Sequence, residues 1–288
     1  MKIILLLKLA FILLASLFLW SCTESPIGGG DITRDFRQIQ GSVILSDSLS
    51  PDGVFVWLDG FDMSLVTKSD GRFEFQLPSP SSQGTPNGYS GVMHLYYYLA
   101  NYYLEKTTVF VQNGQFVYSQ GEIGADGNLL APKEITKFLE INTTVSPSSV
   151  PANFQGTIEL QVTLGALINT QDARLDTVSV TLINFEDDIT GRVFIKNIDT
   201  GEIKEMSTRV TGADKLIRNQ PEPRRMNFFL RKGVLKRGRY EIIPHLLIKH
   251  QAIPEKLLNL LGLRSNDMVS NYLQLPIKRE GGFFEITN

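Results

Sequence analysis

The histidines are the side chains of this chain best suited to acid–base or metal chemistry, and their spacing argues against a shared site. The chain has 288 residues and three histidines, His94, His245 and His250, and no H-x-x-E or H-E-x-x-H pattern surrounds any of them. His245 and His250 would point to opposite faces of a regular strand. The single cysteine, Cys22, excludes a cysteine-rich metal site. We therefore expect no metal ion and no cofactor.

Other reactive patterns are incomplete. The run Gly88-Tyr89-Ser90-Gly91-Val92 has valine where the nucleophile elbow of a hydrolase needs its second glycine, and no phosphate-binding loop pattern occurs. Calcium takes about six to eight oxygen ligands, and the acidic run Glu186-Asp187-Asp188 supplies them only with help from elsewhere in the chain. A solvated turn is therefore the favoured interpretation of this run. The sequence therefore predicts a protein that is not an enzyme.

An aromatic segment, MHLYYYLANYYL at 93–104, offers a different chemistry. Side chains alternate along a strand, which places Tyr96 and Tyr98 on one face and Tyr97 on the other. A face of tyrosines stacks on sugars or peptides, since each ring pairs an apolar body with a hydroxyl group. The alternative, which the sequence favours, is that these rings cover one side of a β-sandwich.

The N-terminus carries the features of an exported protein. Two lysines, Lys2 and Lys8, precede the apolar run Leu9 to Trp20, which is shorter than the ~20 residues of a transmembrane helix and typical of a signal peptide. The sequence Leu-Trp-Ser-Cys that ends at Cys22 resembles the bacterial lipobox, apart from the bulky Trp20. This resemblance implies cleavage before Cys22 and lipidation of that residue. An ordinary signal peptide with a chance cysteine and an uncleaved anchor helix are the alternatives.

These features divide the N-terminal region into a signal peptide at 1–21 and a tether at 22–38, which a run of three glycines makes flexible. We expect a lipid-anchored protein of the bacterial cell envelope, at the outer membrane or cell surface rather than the inner membrane. Its partners would be the membrane and, beyond it, envelope proteins or polysaccharide, and no nucleic acid.

The most strongly patterned stretch is 40–77, QGSVILSDSLSPDGVFVWLDGFDMSLVTKSDGRFEFQL. It alternates short strands with turns: Val54 to Leu58 is apolar throughout and typical of a buried strand, and Ser69-Asp70-Gly71 predicts a turn with a positive φ at Gly71. Phe73 and Phe75 point one way from the following strand. The order of these motifs resembles the carboxypeptidase regulatory-like domain, a transthyretin-like β-sandwich. That resemblance implies an accessory module without catalytic residues of its own, and we assign it to 39–137.

Repeated short strands continue from Phe138 onwards, with a hairpin at Asp199-Thr200-Gly201. The stretch SPSSVPANFQGTIELQVTL, with the later Gly238-Arg239-Tyr240, resembles a bacterial immunoglobulin-like domain. A short helix near 254–262 is predicted by the proline at its start and the glycine at its end. The predicted fold class is all-β, with two β-sandwich domains at 39–137 and 138–288.

Basic residues are concentrated between Lys215 and Arg239. Prolines around 219–223 predict an exposed loop that contains Arg224 and Arg225. The pair is a candidate contact for an anionic envelope surface or an acidic partner, and a solvated hairpin is the alternative. The predicted function is a membrane-anchored envelope lipoprotein that acts as a non-enzymatic binding or scaffolding module. The alternative is a carbohydrate-binding accessory protein that uses the tyrosine-rich strand at 93–104.

Overall fold

The computed structural model describes residues 36–167, 178–182, 184–185, 188–210, 215–218, 220–249, 253–262 and 272–288. Within these ranges, the chain from Arg37 to Asn288 packs together as one unit. Nearly all of its regular structure is β-strand, which confirms the predicted fold class.

The first part of the chain forms two small sheets. Its strands are β1 (Gln38–Leu45), β2 (Phe55–Leu58), β3 (Met63–Val66), β4 (Arg72–Gln76), β5 (Gly91–Tyr98), β6 (Glu105–Gln112), β7 (Gln115–Phe116) and β8 (Lys133–Ile135), with a 3-10 turn at Pro80–Ser82. One sheet has the order β4-β1-β8 and the other the order β3-β2-β5-β6-β7. Apolar side chains from both sheets pack together into a first core, whose members include Val43, Val56, Phe75, Leu95 and Val109.

Two turns in the first part of the chain depend on residues with positive φ. Gly71 has φ of 69°, as predicted, and a Cβ there would lie 2.2 Å from the carbonyl oxygen of Val43, so only glycine fits. Asn113 and Gly114 both have positive φ between β6 and β7, the conformation of a type I′ hairpin turn. The predicted inward alternation of Phe73 and Phe75 on β4 is also confirmed.

The second part is dominated by one large sheet. Its elements are β9 (Leu139–Ser146), β10 (Ser149–Pro151), β11 (Gly156–Ala166), β12 (Val178–Leu182), β13 (Asn184–Phe185), β14 (Asp188–Asn197), β15 (Ile203–Val210), β16 (Lys215–Ile217), β17 (Glu222–Leu230), β18 (Gly238–Pro244), β19 (Leu246–Lys249), α1 (Glu255–Leu260), β20 (Glu280–Gly281) and β21 (Phe283–Thr287). The large sheet runs β10-β21-β18-β14-β15-β17-β11-β9-β20, and β16-β12-β19 form a smaller one. Residues Tyr272–Gln274 form a 3-10 turn, and Pro276, which has no N–H to donate, follows it.

A second core joins the two parts of the chain. It gathers the inward side chains of the large sheet and of α1, and it also takes in Phe55, Trp57, Tyr98 and Ala100 from the first part. The sheet of β2 and β5 is therefore buried on both faces over part of its length, with one core on each side. The division into domains at 137 and 138 stays a prediction within this unit.

Candidate binding surface and the seam between the cores

The tyrosine-rich strand β5 divides its side chains between the two cores, as its alternation predicts. Tyr97 lies in the first core at 0% exposure, and burial raises the pKa of its phenol. Tyr98 lies in the second core at 4% exposure, and burial raises its pKa as well. The strand is therefore buried on both faces only at its C-terminal end, around Tyr97 and Tyr98.

The burial of Tyr98 corrects its assignment as a ligand-binding residue. Its partner in register on β2 is Phe55, and both rings belong to the second core. A sugar or peptide cannot reach a ring that the large sheet covers. The structural role that the sequence favoured for these rings applies to Tyr98.

Tyr96 differs from its neighbours because it is only partly buried. Its ring stacks on Trp57, with centroids 5.1 Å apart and an interplanar angle of 21°. The His94 ring lies 5.8 Å from it along the same face of β5. Burial, and then the negative charge of Asp59, raise the pKa of the Tyr96 phenol, so its hydroxyl is neutral at physiological pH.

Asp59 fixes the imidazole beside Tyr96. The backbone N–H of His94 donates to Asp59 Oδ1 at 2.9 Å, and His94 Nδ1 lies 3.3 Å from Asp59 Oδ2. The two side chains remain 30% and 26% exposed. We call this group, Asp59, His94 and Tyr96 over the buried Trp57, the Tyr96 surface. It combines an aromatic face with a carboxylate and an imidazole, which suits hydrogen bonding to sugar hydroxyls.

Arg224 and Arg225 lie in strand β17 and not in an exposed loop, which corrects that expectation. Arg224 is opposite Val162 and Arg225 opposite Gln161 of β11, so the two side chains point to opposite faces. Arg225 is exposed and its Nε lies 3.7 Å from Glu159 Oε1, while Arg224 is partly buried. The two arginines therefore do not form one basic patch.

The structure also shows a polar group that no pattern in the sequence singles out. Tyr102 donates its hydroxyl proton to Asp47 Oδ2 at 2.7 Å, and Lys137 Nζ lies 3.1 Å from the same oxygen and 3.9 Å from Glu280 Oε1. We call these four residues the seam cluster, because they connect the first sheets, the entry to β9 and the start of β20. No motif links them, since they come from four distant parts of the chain.

Burial and charge act against each other in the seam cluster. Burial raises the pKa of Asp47, but hydrogen bonds from Tyr102 and Lys137 outweigh it, and the net pKa is lowered. Burial and then the bond to Asp47 raise the pKa of Tyr102. Next to the cluster, Asn101 is fully buried and donates to the carbonyl oxygens of Leu139 and Lys278, each at 3.0 Å. These bonds fasten the C-terminal segment to the first part of the chain.

Several predicted residues lie outside the described part of the chain: Cys22, His250 and the first two members of the acidic run 186–188. Over the described ranges, no group of three or more His, Cys, Asp and Glu side chains is placed to hold a metal ion. No helix within the same ranges combines the length and the apolar character needed to cross a membrane.

Comparison with known proteins gives distant likenesses only. No family model matches the chain, and no curated protein does. Among solved structures, BcpA, the major pilin subunit of Bacillus cereus, is 12% identical over 73% of this chain and 64% of the pilin, with a TM-score of 0.26. The Bacillus anthracis TIE protein is 9% identical over 74% of this chain and 30% of its own, with a TM-score of 0.21.

The chain spans less than two thirds of the length of that pilin. Likenesses at these scores carry no conclusion about function, and the all-β assignment rests on the strands of the chain itself. The resemblance of 40–77 to the carboxypeptidase regulatory-like domain stays a prediction from its motifs.

Proposed function

We propose that this chain is a lipid-anchored protein of the bacterial cell envelope that presents a rigid, non-enzymatic binding or scaffolding body. The observation that carries the proposal is the second core, in which residues from both parts of the chain pack together. A body held by one such core keeps its surfaces in fixed relative positions, as a scaffold requires. The anchor itself rests on the lipobox-like sequence before Cys22.

Mass spectrometry of the native N-terminus tests the anchor. We expect a mature chain that begins at Cys22, carries acyl groups and sediments with membranes, whereas Cys22→Ser releases the protein or leaves its signal peptide uncleaved. More than one acyl chain is needed for stable attachment. An unmodified Cys22 in the mature, membrane-free protein would exclude lipid anchoring.

Limited proteolysis of the chain without its lipid tests the rigid body. A body with one continuous second core resists cleavage near 137 and 138 under conditions that cut the tether, because few backbone sites there open without global unfolding. Rapid cleavage into two stable halves would contradict it.

The Tyr96 surface supports a second candidate function, carbohydrate binding. The half-buried Tyr96 ring is backed by Trp57, and His94 and Asp59 beside it supply hydrogen-bonding groups. Retention on insoluble polysaccharides, compared between the natural chain and Tyr96→Ala, tests this function. Equal retention of both forms would contradict carbohydrate binding through Tyr96.

Arg225 supports a weaker version of the predicted contact with an anionic surface. It is exposed but lies beside Glu159, so its charge is partly compensated. If the contact forms, the lipid-free chain binds anionic vesicles at low salt, and this binding weakens as added salt screens the charge. Arg225→Glu then weakens this binding, and equal binding to neutral vesicles would contradict it.

A further inference from the structure

Strand β4 is an edge strand whose outer side faces solvent. Among the strands of the described residues, it pairs with β1 alone, in the sheet β4-β1-β8. The N–H of Val43 donates to the carbonyl oxygen of Gly71 at 2.9 Å. With the register of the two strands, this bond fixes which residues of β4 form hydrogen bonds with β1 and which do not. Phe73 therefore exchanges its hydrogen bonds with β1, and the backbone groups of Arg72 and Glu74 point to the opposite, outer edge.

A broad cleft of about 880 Å³ lies over β4 and β1 and extends to residues 128–132 beyond β1. Its second wall is β3, another edge strand, and the turn that ends at Gly71 joins the two walls. The cleft contains Val66 and Leu130, which are 59% and 71% exposed. A partner strand that paired with β4 would lie about 4.8 Å from it, the spacing of neighbouring strands.

The charges on β4 are self-complementary. Arg72 and Glu74 are two residues apart, so their side chains share the solvent face of the strand. In an antiparallel pair of two β4 strands with the two-fold axis at Phe73, Arg72 of each copy faces Glu74 of the other. Both residues present their backbone groups to the outer edge, so each such pair exchanges two backbone hydrogen bonds.

The registers centred one residue to either side of Phe73 lack this match. Moving the axis to Glu74 sets two carboxylates directly opposite each other, and moving it to Arg72 sets two guanidinium groups opposite each other. Like charges at directly opposed positions destabilise a sheet. Charge therefore favours the register centred on Phe73 over the two registers centred on its neighbours.

We propose that two copies of this chain associate through their β4 edges, in the antiparallel register that pairs Arg72 with Glu74. The contact is isologous and closes after two copies, as two-fold interfaces do. The N–H of Arg72 now donates to Asp70 Oδ1 at 3.1 Å, and in the dimer it donates to the partner strand instead. The exposed Val66 side chain is then covered by the entering strand.

Sedimentation velocity of the lipid-free chain, residues 23–288, measures this association over a concentration series. Arg72→Glu leaves two glutamates on each copy, and Glu74→Arg leaves two arginines, so each variant weakens the dimer by roughly ten-fold or more. An equimolar mixture of the two variants places each new glutamate opposite an arginine. We expect that mixture to regain the natural affinity as a heterodimer.

Arg231→Glu is the matched control, because it reverses the charge of an exposed arginine that follows β17, in a different sheet from β4, and it leaves the dimer unchanged. Circular dichroism establishes that each variant is folded. Restored association in the mixture supports the proposal even if one variant alone is less stable. A chain that stays monomeric throughout, or single variants that associate as the natural chain does, would overturn it and leave the cleft to a different extended segment.

Discussion

The seam cluster and the Tyr96 surface each place a tyrosine near an aspartate, but the two groups differ in what surrounds them. Lys137 in the seam cluster is 7% exposed, and its ammonium group and the Tyr102 hydroxyl both bind Asp47. Asp59 and His94 at the Tyr96 surface remain about a quarter exposed or more. Similar residue types therefore stabilise the fold in the seam cluster and remain accessible to solvent at the Tyr96 surface.

The difference lies in how the polar groups are satisfied. A buried charge is tolerated only when partners surround it, and the seam cluster supplies those partners internally. At the Tyr96 surface, water can replace a missing partner, so a ligand can do so too. Removing a group should therefore cost folding stability at the seam cluster and binding at the Tyr96 surface.

The largest effect is expected from Lys137→Met, which removes the cation and leaves Asp47 partly buried beside Glu280. We expect a loss of about 2–4 kcal/mol in the free energy of unfolding, below the full cost of a broken buried pair because Asp47 is 21% exposed. Urea denaturation measures it. The matched control is Lys256→Met: Lys256 Nζ lies 2.7 Å from Asp62 Oδ1, but both side chains are about half exposed.

Loss of that exposed pair should cost under about 1 kcal/mol. Equal destabilisation by the two lysine substitutions would mean that the seam cluster is no more important than a surface pair.

Next in size is Tyr102→Phe, which removes one hydroxyl and keeps the ring. Its hydrogen bond to the charged Asp47 contributes about 1–2 kcal/mol. The same substitution at Tyr97 is an instructive control, since that hydroxyl lies 3.3 Å from the neutral Thr107 Oγ1. A smaller loss at Tyr97 than at Tyr102, by thermal unfolding, would show that the charge of Asp47 strengthens the bond.

The sequence predicted local features well because their causes are local. The period of two assigned Tyr96, Tyr97 and Tyr98 to faces, and Ser-Asp-Gly placed the turn at Gly71. The burial of Tyr98 depends on a sheet formed much later in the chain, which no local pattern reveals. The seam cluster is hidden for the same reason.

The loop predicted around Arg224 and Arg225 failed for a reason visible at Pro223. That residue lies in β17 opposite Thr163 of β11, so the strand runs through it. Proline is tolerated close to the first residue of a strand, and β17 begins at Glu222. Pro223 therefore marks the beginning of a strand and not a loop.

Acid should weaken the seam cluster in a defined pH range. Because the folded pKa of Asp47 is lowered from 3.8, its interactions stabilise the fold above that value and are lost as the pH falls through the folded pKa. Asp47→Asn should be less stable than the natural chain near neutral pH, and the gap should narrow below pH 3.8. Urea denaturation over a pH series measures the gap, and a constant gap would show that Asp47 does not act through its charge.

The smallest change in stability, and the sharpest test of the comparison, is expected at Tyr96. Its ring stacks on Trp57 at the edge of the second core, and Tyr96→Phe, which keeps that ring, should leave the free energy of unfolding nearly unchanged. Tyr96→Ala should lose a stacking interaction of about 0.5–1.5 kcal/mol in addition to the area that the ring buries. If the surface binds sugars, retention on polysaccharide falls strongly with Tyr96→Ala. Retention that survives in Tyr96→Phe assigns binding to the aromatic face, whereas retention lost in both assigns it to the hydroxyl. A large loss of stability from Tyr96→Ala, with no change in retention, would place Tyr96 with the seam cluster as a structural residue and remove the contrast between the two regions.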